Sequence, residues 1–198
     1  MNIFLINGAK AFAHSQGEYN HTLHQTAVSY LQSQGHALRT LVVEEGYEIA
    51  EQVANFAWAD VVIYQMPGWW MGAPWTVKKF VDEVLTEGHG TLYANDGRTR
   101  SDSSQRYGSG GLLKGKYLML SVTWNAPEQA FTDPQDFFEG QGVEAVYMPF
   151  RKAHEFLDMQ ALPTFLCCDV MKQPQPQVDA ARYQAHLAKV LNPLTANQ

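Results

Sequence analysis

Apolar runs alternate with segments of helical period from one end of this chain to the other, which restricts it to an α/β protein built on a parallel sheet. Five such units can be read. The first strand is Ile3 to Asn7, and a helix follows near Asn20 with Tyr19, Leu23, Ala27, Tyr30 and Leu31 on one face, stopped at Gly35. Ala37 to Val43 is the second strand, and Ile49, Val53, Phe56 and Ala57 give a second helix its inward stripe. Val61 to Gln65 is a continuous run, as a strand covered on both faces must be. Pro74 opens a third helix, where Val77, Phe80, Val81, Val84 and Leu85 recur at helical spacing. Tyr117 to Val122 is the fourth strand, Phe150 to Leu157 a helix, Thr164 to Cys168 the fifth strand and Val178 to Leu191 the closing helix. Between Thr86 and Gly115 lies a long polar stretch without a period, and compact domains seldom keep such a loop without a function. No linker or repeat interrupts the pattern, so residues 1–198 are expected to form one domain.

The chain's 198 residues and 45% hydrophobic content support a sizeable core. A net charge of -6 argues against nucleic-acid and anionic-membrane partners, since no basic run offsets the repulsion. Arg98, Arg100, Arg106, Lys114 and Lys116 gather locally, either to meet the phosphates of a soluble nucleotide or as ordinary surface charge. The apolar run from Asn2 to Asn7 has no cationic flank and is too short for a leader or a membrane span, so a cytoplasmic protein is expected. Cys167 and Cys168 are neighbours, which excludes a disulfide framework and leaves them as small apolar side chains at a strand end.

In an open parallel sheet the ligand sits beyond the carboxyl ends of the strands, where strand order reverses. With order 2-1-3-4-5 that point falls between strands one and three, and flavodoxin holds a flavin there. Three loops converge on it: Gly8 to Asn20, Met66 to Ala73 and Thr123 to Pro127. Trp69, Trp70 and Trp75 crowd the second loop and its exit, and Trp124 sits in the third. Such rings can hold a flat aromatic cofactor, with Gly68 and Gly72 admitting backbone N–H groups to it, or they can fill a core. The first loop places Ser15, Gly17 and Asn20 at a helix start, where unpaired N–H groups favour phosphate; Ser15 and Asn20 could equally cap the helix. Neither a nucleoside-triphosphate loop nor a Gly-x-Gly-x-x-Gly fingerprint occurs, so NAD(P) would visit from outside. His21 and His24 lie one turn apart without a third ligand, which favours a solvated helix face over a metal site. His89 could donate a proton to a reduced substrate or bond to backbone, and Tyr107 could touch a cofactor or cover core.

The chain resembles the bacterial NADPH:quinone reductases known as modulator of drug activity B, relatives of mammalian DT-diaphorase. The likeness is carried by Ile6-Asn7-Gly8-Ala9-Lys10, Phe12-Ala13-His14-Ser15, Gln65 through Lys79, Thr86 through Tyr93, Asp96 through Arg100, Tyr107 through Leu112 and Thr123-Trp124-Asn125-Ala126-Pro127. It implies a flavodoxin-like homodimer, a five-stranded parallel sheet with helices on both faces, and FAD as cofactor without a metal. Ser15, Gln16, Gly17, Glu18, Tyr19, Asn20, His21 and Thr22 would hold phosphate. Gly68, Trp69, Trp70 and Met71, with Thr123, Trp124, Asn125 and Ala126, would line the isoalloxazine, and Tyr107 would reach FAD from the partner subunit. NADPH would reduce the flavin and a quinone would reoxidise it at one open face in ping-pong order, as part of oxidative stress defence. Arg98 and Arg100 are candidates for the 2′-phosphate of NADPH. An azoreductase or FMN-reductase type of flavoenzyme and a non-catalytic flavin electron carrier share the same residues, but the loop from Thr86 to Gly115 would cover the flavin, which favours an enzyme.

Overall fold

The computed structural model describes residues 1–13, 15–98 and 104–195. Successive side chains leave a strand in opposite directions, so one apolar run feeds two cores. In β1 (Asn2–Asn7), Ile3 and Leu5 enter one core while Phe4 and Ile6 enter the other. β3 (Val61–Pro67) divides in the same way, with Val61 and Ile63 on one side and Val62 and Tyr64 opposite. β4 (Tyr117–Thr123) does likewise through Met119 against Leu118 and Leu120. Both faces of these strands are therefore dry, which is why they are apolar along their length.

The named strands pair in parallel, in the order β2-β1-β3-β4, with β2 (Ala37–Val42) at one edge. The other edge departs from the single strand expected from Thr164 to Cys168. It is shared by two short strands, β5 (Gln160–Ala161) and β6 (Phe165–Cys167), each parallel to β4. Pro163 lies between them and lacks the N–H that a continuous ladder needs. Side chains blunt this edge: His186 reaches the Pro163 carbonyl at 2.9 Å, and the Thr164 N–H donates to Glu144 at 2.8 Å.

α1 (Glu18–Ser33) and α7 (Pro176–Thr195) cover one face of the sheet, burying Leu23, Ala27, Leu31, Tyr183 and Leu187. α2 (Ile49–Trp58) and α3 (Trp75–Glu87) cover the other with Val53, Phe56, Val77, Phe80 and Val84. Burying one such side chain contributes roughly 1.5 to 3 kcal/mol. The excursion after β4 holds two short helices, α4 (Gln129–Thr132) and α5 (Gly142–Val146), followed by α6 (Met148–Glu155). Among the described residues no helix is long and apolar enough to cross a membrane.

Candidate functional site

The strands that end at the switch point finish on polar side chains, and these bond to one another beneath the loops. Gln65 donates to Asn20 Oδ1 at 2.8 Å and accepts from Ser121 at 2.6 Å, while Asn20 donates to Thr123 Oγ1 at 3.0 Å. All four are buried. Satisfying them in this way avoids a cost of about 1 to 3 kcal/mol for each group that would otherwise lie unpaired. Asn20 therefore does not cap α1. The helix starts after Gly17, whose φ of 75° is left-handed, and no side chain caps it.

That uncapped start leaves the N–H groups of Glu18, Tyr19 and Asn20 without a partner among the described residues. His21 adds a further donor. Asn7 Oδ1 accepts the Ala9 N–H at 2.9 Å, so Asn7 Nδ2 must donate to His21 Nδ1 at 2.8 Å, which places the ring hydrogen on Nε2. Nε2 stands 3.5 Å from where a Cβ on Gly17 would lie, beside the helix start. Ser15 Oγ accepts from the Gly17 N–H at 3.3 Å and keeps its own hydrogen to donate. N–H groups, hydroxyl and imidazole form a cradle for an anion, reinforced by the helix dipole. Gln16, Glu18 and Thr22 are exposed at its margin.

Opposite the cradle, Trp69 and Gly72 close a two-residue turn with reciprocal backbone bonds of 2.9 and 3.1 Å. Its tip residues, Trp70 at φ 45° and Met71 at φ 61°, occupy the left-handed region that side chains with a Cβ rarely adopt. Trp70 is 96% exposed. The Tyr147 hydroxyl donates to the Gly72 carbonyl at 3.3 Å and holds the turn from beneath; burial pushes its titration upward. The N–H groups of Gly68 and Gly72 are used internally, by Thr123 and Trp69, and do not approach a ligand.

Trp124 does not offer a face to a flat ligand, contrary to the expectation from its loop. It is 8% exposed and packs edge-on against Phe131 and Phe138, each at 5.6 Å. Gly68 is glycine for this reason, since a Cβ there would lie 2.1 Å from the Trp124 ring. The indole N–H is buried beside the Tyr147 hydroxyl without meeting it in hydrogen-bond geometry. Asn125 is exposed at the rim, and the Ala126 carbonyl accepts from the Asp169 N–H.

A cleft of about 180 Å³ opens between the loops. Of the residues singled out from sequence it brings together Ser15, Gly17, Tyr19, Asn20, Gly68, Trp69, Thr123 and Asn125, and it adds Pro67, Val170 and Met171. The last two follow β6, whose loop also opens at the carboxyl end beside β4; the topological rule would have found them had it been applied to the last strand. Tyr19 donates to Asp179 on α7 at 2.6 Å, and Arg182 holds the other carboxylate oxygen at 2.5 Å. Burial, then this bond, raises the Tyr19 titration. Beyond Asp179 lies a larger cavity of about 790 Å³, walled by Leu166, Cys168, Val178 and Arg182.

Other candidates lie elsewhere. His89 Nε2 bonds to the Ala94 carbonyl at 3.0 Å, the backbone role rather than proton donation. His24 is not on a solvated face: it is buried in α1, where desolvation and then His21 lower its pKa to about 4. Tyr107 is 71% exposed and packs at a tilt against Phe156, beside a separate groove of about 490 Å³ between α3 and α6. Arg98 is paired with Asp96 and lies over Tyr107. His14 and Arg100 lie outside the described residues. Among the described residues no group of three or more His, Cys, Asp or Glu could hold a metal.

Comparison with known proteins gives a match to a family described by its flavodoxin-like fold over residues 1–191. NADPH:quinone oxidoreductase MdaB of Haemophilus influenzae is 56% identical over 190 residues, covering 96% of this chain and 99% of its own. Among solved structures, a candidate quinone reductase from Klebsiella pneumoniae superposes with TM-score 0.74 at 22% identity, covering 98% of this chain and 85% of that one. General stress protein 14 from Treponema denticola, solved with FMN, gives 0.65 at 17% identity, with 100% and 99% covered.

Proposed function

We propose that this chain, which belongs to the flavodoxin-like family matched over residues 1–191, is an NADPH:quinone oxidoreductase that holds FAD and reduces quinones to hydroquinones. The observation that carries the reading is the cleft at the β1–β3 switch point, with an anion cradle on one side and the exposed Trp69–Gly72 turn on the other. The activity of the 56% identical relative supports it. When bound, a flavin supplies the hydride chemistry, accepting from a nicotinamide and delivering to a quinone.

The chain itself binds, orients and excludes water. The N–H groups at the start of α1, the Ser15 hydroxyl and His21 Nε2–H would hold a bound flavin's phosphate. Trp69, which lines the cleft, and Trp70 at the exposed tip of the turn would shed water from a bound ring, and Tyr147 holds their turn from beneath. The cavity beyond Asp179 has room for the adenosine half of a dinucleotide, which supports FAD over FMN. If protein backs one face of a bound flavin, NADPH and quinone would use the other face in turn and the kinetics would be ping-pong. Tyr107 exposes its ring at the α3–α6 groove, and Leu112 and Met148 are also exposed, which supports a homodimer in which Tyr107 reaches the partner's flavin. We place the enzyme in the cytoplasm, with residues 1–198 as one flavin-binding domain.

The test joins cofactor and turnover. Chromatography of the cofactor released from purified protein should return about one FAD per chain; FMN alone, or no flavin after reconstitution, would refute the assignment. Double-reciprocal plots against NADPH at several quinone concentrations should be parallel, and intersecting lines would indicate a ternary complex instead.

A further inference from the structure

The first loop repeats the reciprocal backbone pairing seen between Trp69 and Gly72. Phe12 and Ser15 exchange backbone bonds of 2.9 and 3.0 Å, and Ala13 at its tip has φ 51°. The turns meet through aromatic rings. Phe12 lies 5.5 Å from Trp69 and 5.1 Å from Trp75, and Trp69 and Trp75 are 5.4 Å apart. Phe12 is 54% exposed and belongs to neither core, so the fold does not need its ring. The first loop is otherwise fixed from behind by Glu44, which holds Lys10 at 2.7 Å and the Ala11 N–H at 3.0 Å. Phe12 thus joins the first loop beside the anion cradle to the Trp69 turn beside the cleft, and Ala13, Trp70 and Met71, which flank this contact, all hold left-handed φ values.

We propose that Phe12 is a positioning residue that couples the two ends of the cofactor site: an occupied cradle fixes Ser15 and the Phe12 turn, and through the Phe12 ring fixes Trp69 for the flavin ring. The inference rests on the flavin reading above and adds to it a cooperativity between phosphate and ring. Coupling of this kind is reciprocal, so each ligand fragment tightens the other.

The experiment uses the full-length apoprotein with riboflavin as the ring probe and inorganic pyrophosphate as the cradle probe. Riboflavin should bind roughly fivefold more tightly with saturating pyrophosphate than without, the size expected of ring contacts at a partly exposed site. In Phe12→Ala the ratio should fall to one, with apo unfolding and circular dichroism unchanged, and Phe12→Tyr, which keeps the ring, should restore it. A wild-type ratio near one, an equal ratio in Phe12→Ala, or riboflavin that does not bind to a protein still binding FAD overturns the coupling and leaves the flavin reading intact. Loss of binding by both probes and by FAD overturns the flavin reading, and the coupling with it.

Discussion

Trp69, Trp70 and Trp124 carry one side chain in adjacent loops, and burial separates what their removal would do. Trp124 fills the space that Gly68 leaves open, between Phe131 and Phe138. Trp124→Ala should therefore cost roughly 3 to 5 kcal/mol of apoprotein stability. Gly68→Ala should also destabilise, since its Cβ has no room. Trp70→Ala, at a position almost fully exposed, should stay within about 0.5 kcal/mol of the wild type in urea unfolding. Equal losses at Trp70 and Trp124 would contradict this division. The sequence places all three rings at the site because their loops converge there, but it cannot say which ring turns inward. That depends on Phe131 and Phe138, which stack at 4.5 Å in a segment without helical period. Gly68 illustrates the same limit: glycine in a ligand loop suggests close approach by a ligand, and here the close approach is by a tryptophan.

At the scale of elements, the long helices and central strands are legible because burial on one or both faces writes a period into them. What escapes is short or depends on distant partners. α4 and α5 have four and five residues, too few to show a period, and Pro163 divides an edge that reads as one strand. The contact between β3 and α6 is equally hidden, although it has a measurable consequence. His154 Nδ1 bonds to the Phe150 carbonyl and Nε2 to the Tyr64 hydroxyl at 3.0 Å, with both side chains fully buried. Desolvation lowers the His154 pKa from 6.5 to about 4, as it does for His24 in α1. Between those values the unfolded chain binds a proton that the folded chain refuses. Stability is therefore full above pH 6.5 and falls as pH drops toward 4, by on the order of 2 to 3 kcal/mol for each histidine. Urea midpoints at pH 7 and pH 5 should show the slope, and His154→Leu should flatten it in part, since burial lowers His24, His36 and His186 as well. An unchanged slope in that variant would mean the loss arises elsewhere.

For the molecule as a whole, strand order decides where the site lies; alternation of elements gives a parallel sheet, and the order β2-β1-β3-β4-β5 is the one the structure has. The parallel sheet sends the loops after β1, β3, β4 and β6 to one end, so residues far apart in sequence share a cleft. Tyr19 and Asp179, 160 positions apart, meet there only because α7 returns to pack beside α1. No local pattern announces that pairing. Because the cleft joins both halves of the sheet, a ligand bound in it opposes global unfolding by mass action. FAD at about a thousand times its Kd should add about 4 kcal/mol, which for a chain of this size corresponds to a rise in Tm of roughly 8 to 16 °C. Variants should divide by which quantity they move. Trp124→Ala should lower the apo and FAD-bound transitions together and leave the increment between them. His21→Ala should shrink the increment, by roughly 3 to 6 °C if affinity falls tenfold, because it removes one donor from the cradle, and should also lower the apo transition, because it leaves the buried Asn7 amide without the ring nitrogen it donates to. Scanning calorimetry with and without FAD reads both quantities on one sample. An increment that His21→Ala leaves untouched would show that the cradle at the start of α1 does not hold the phosphate.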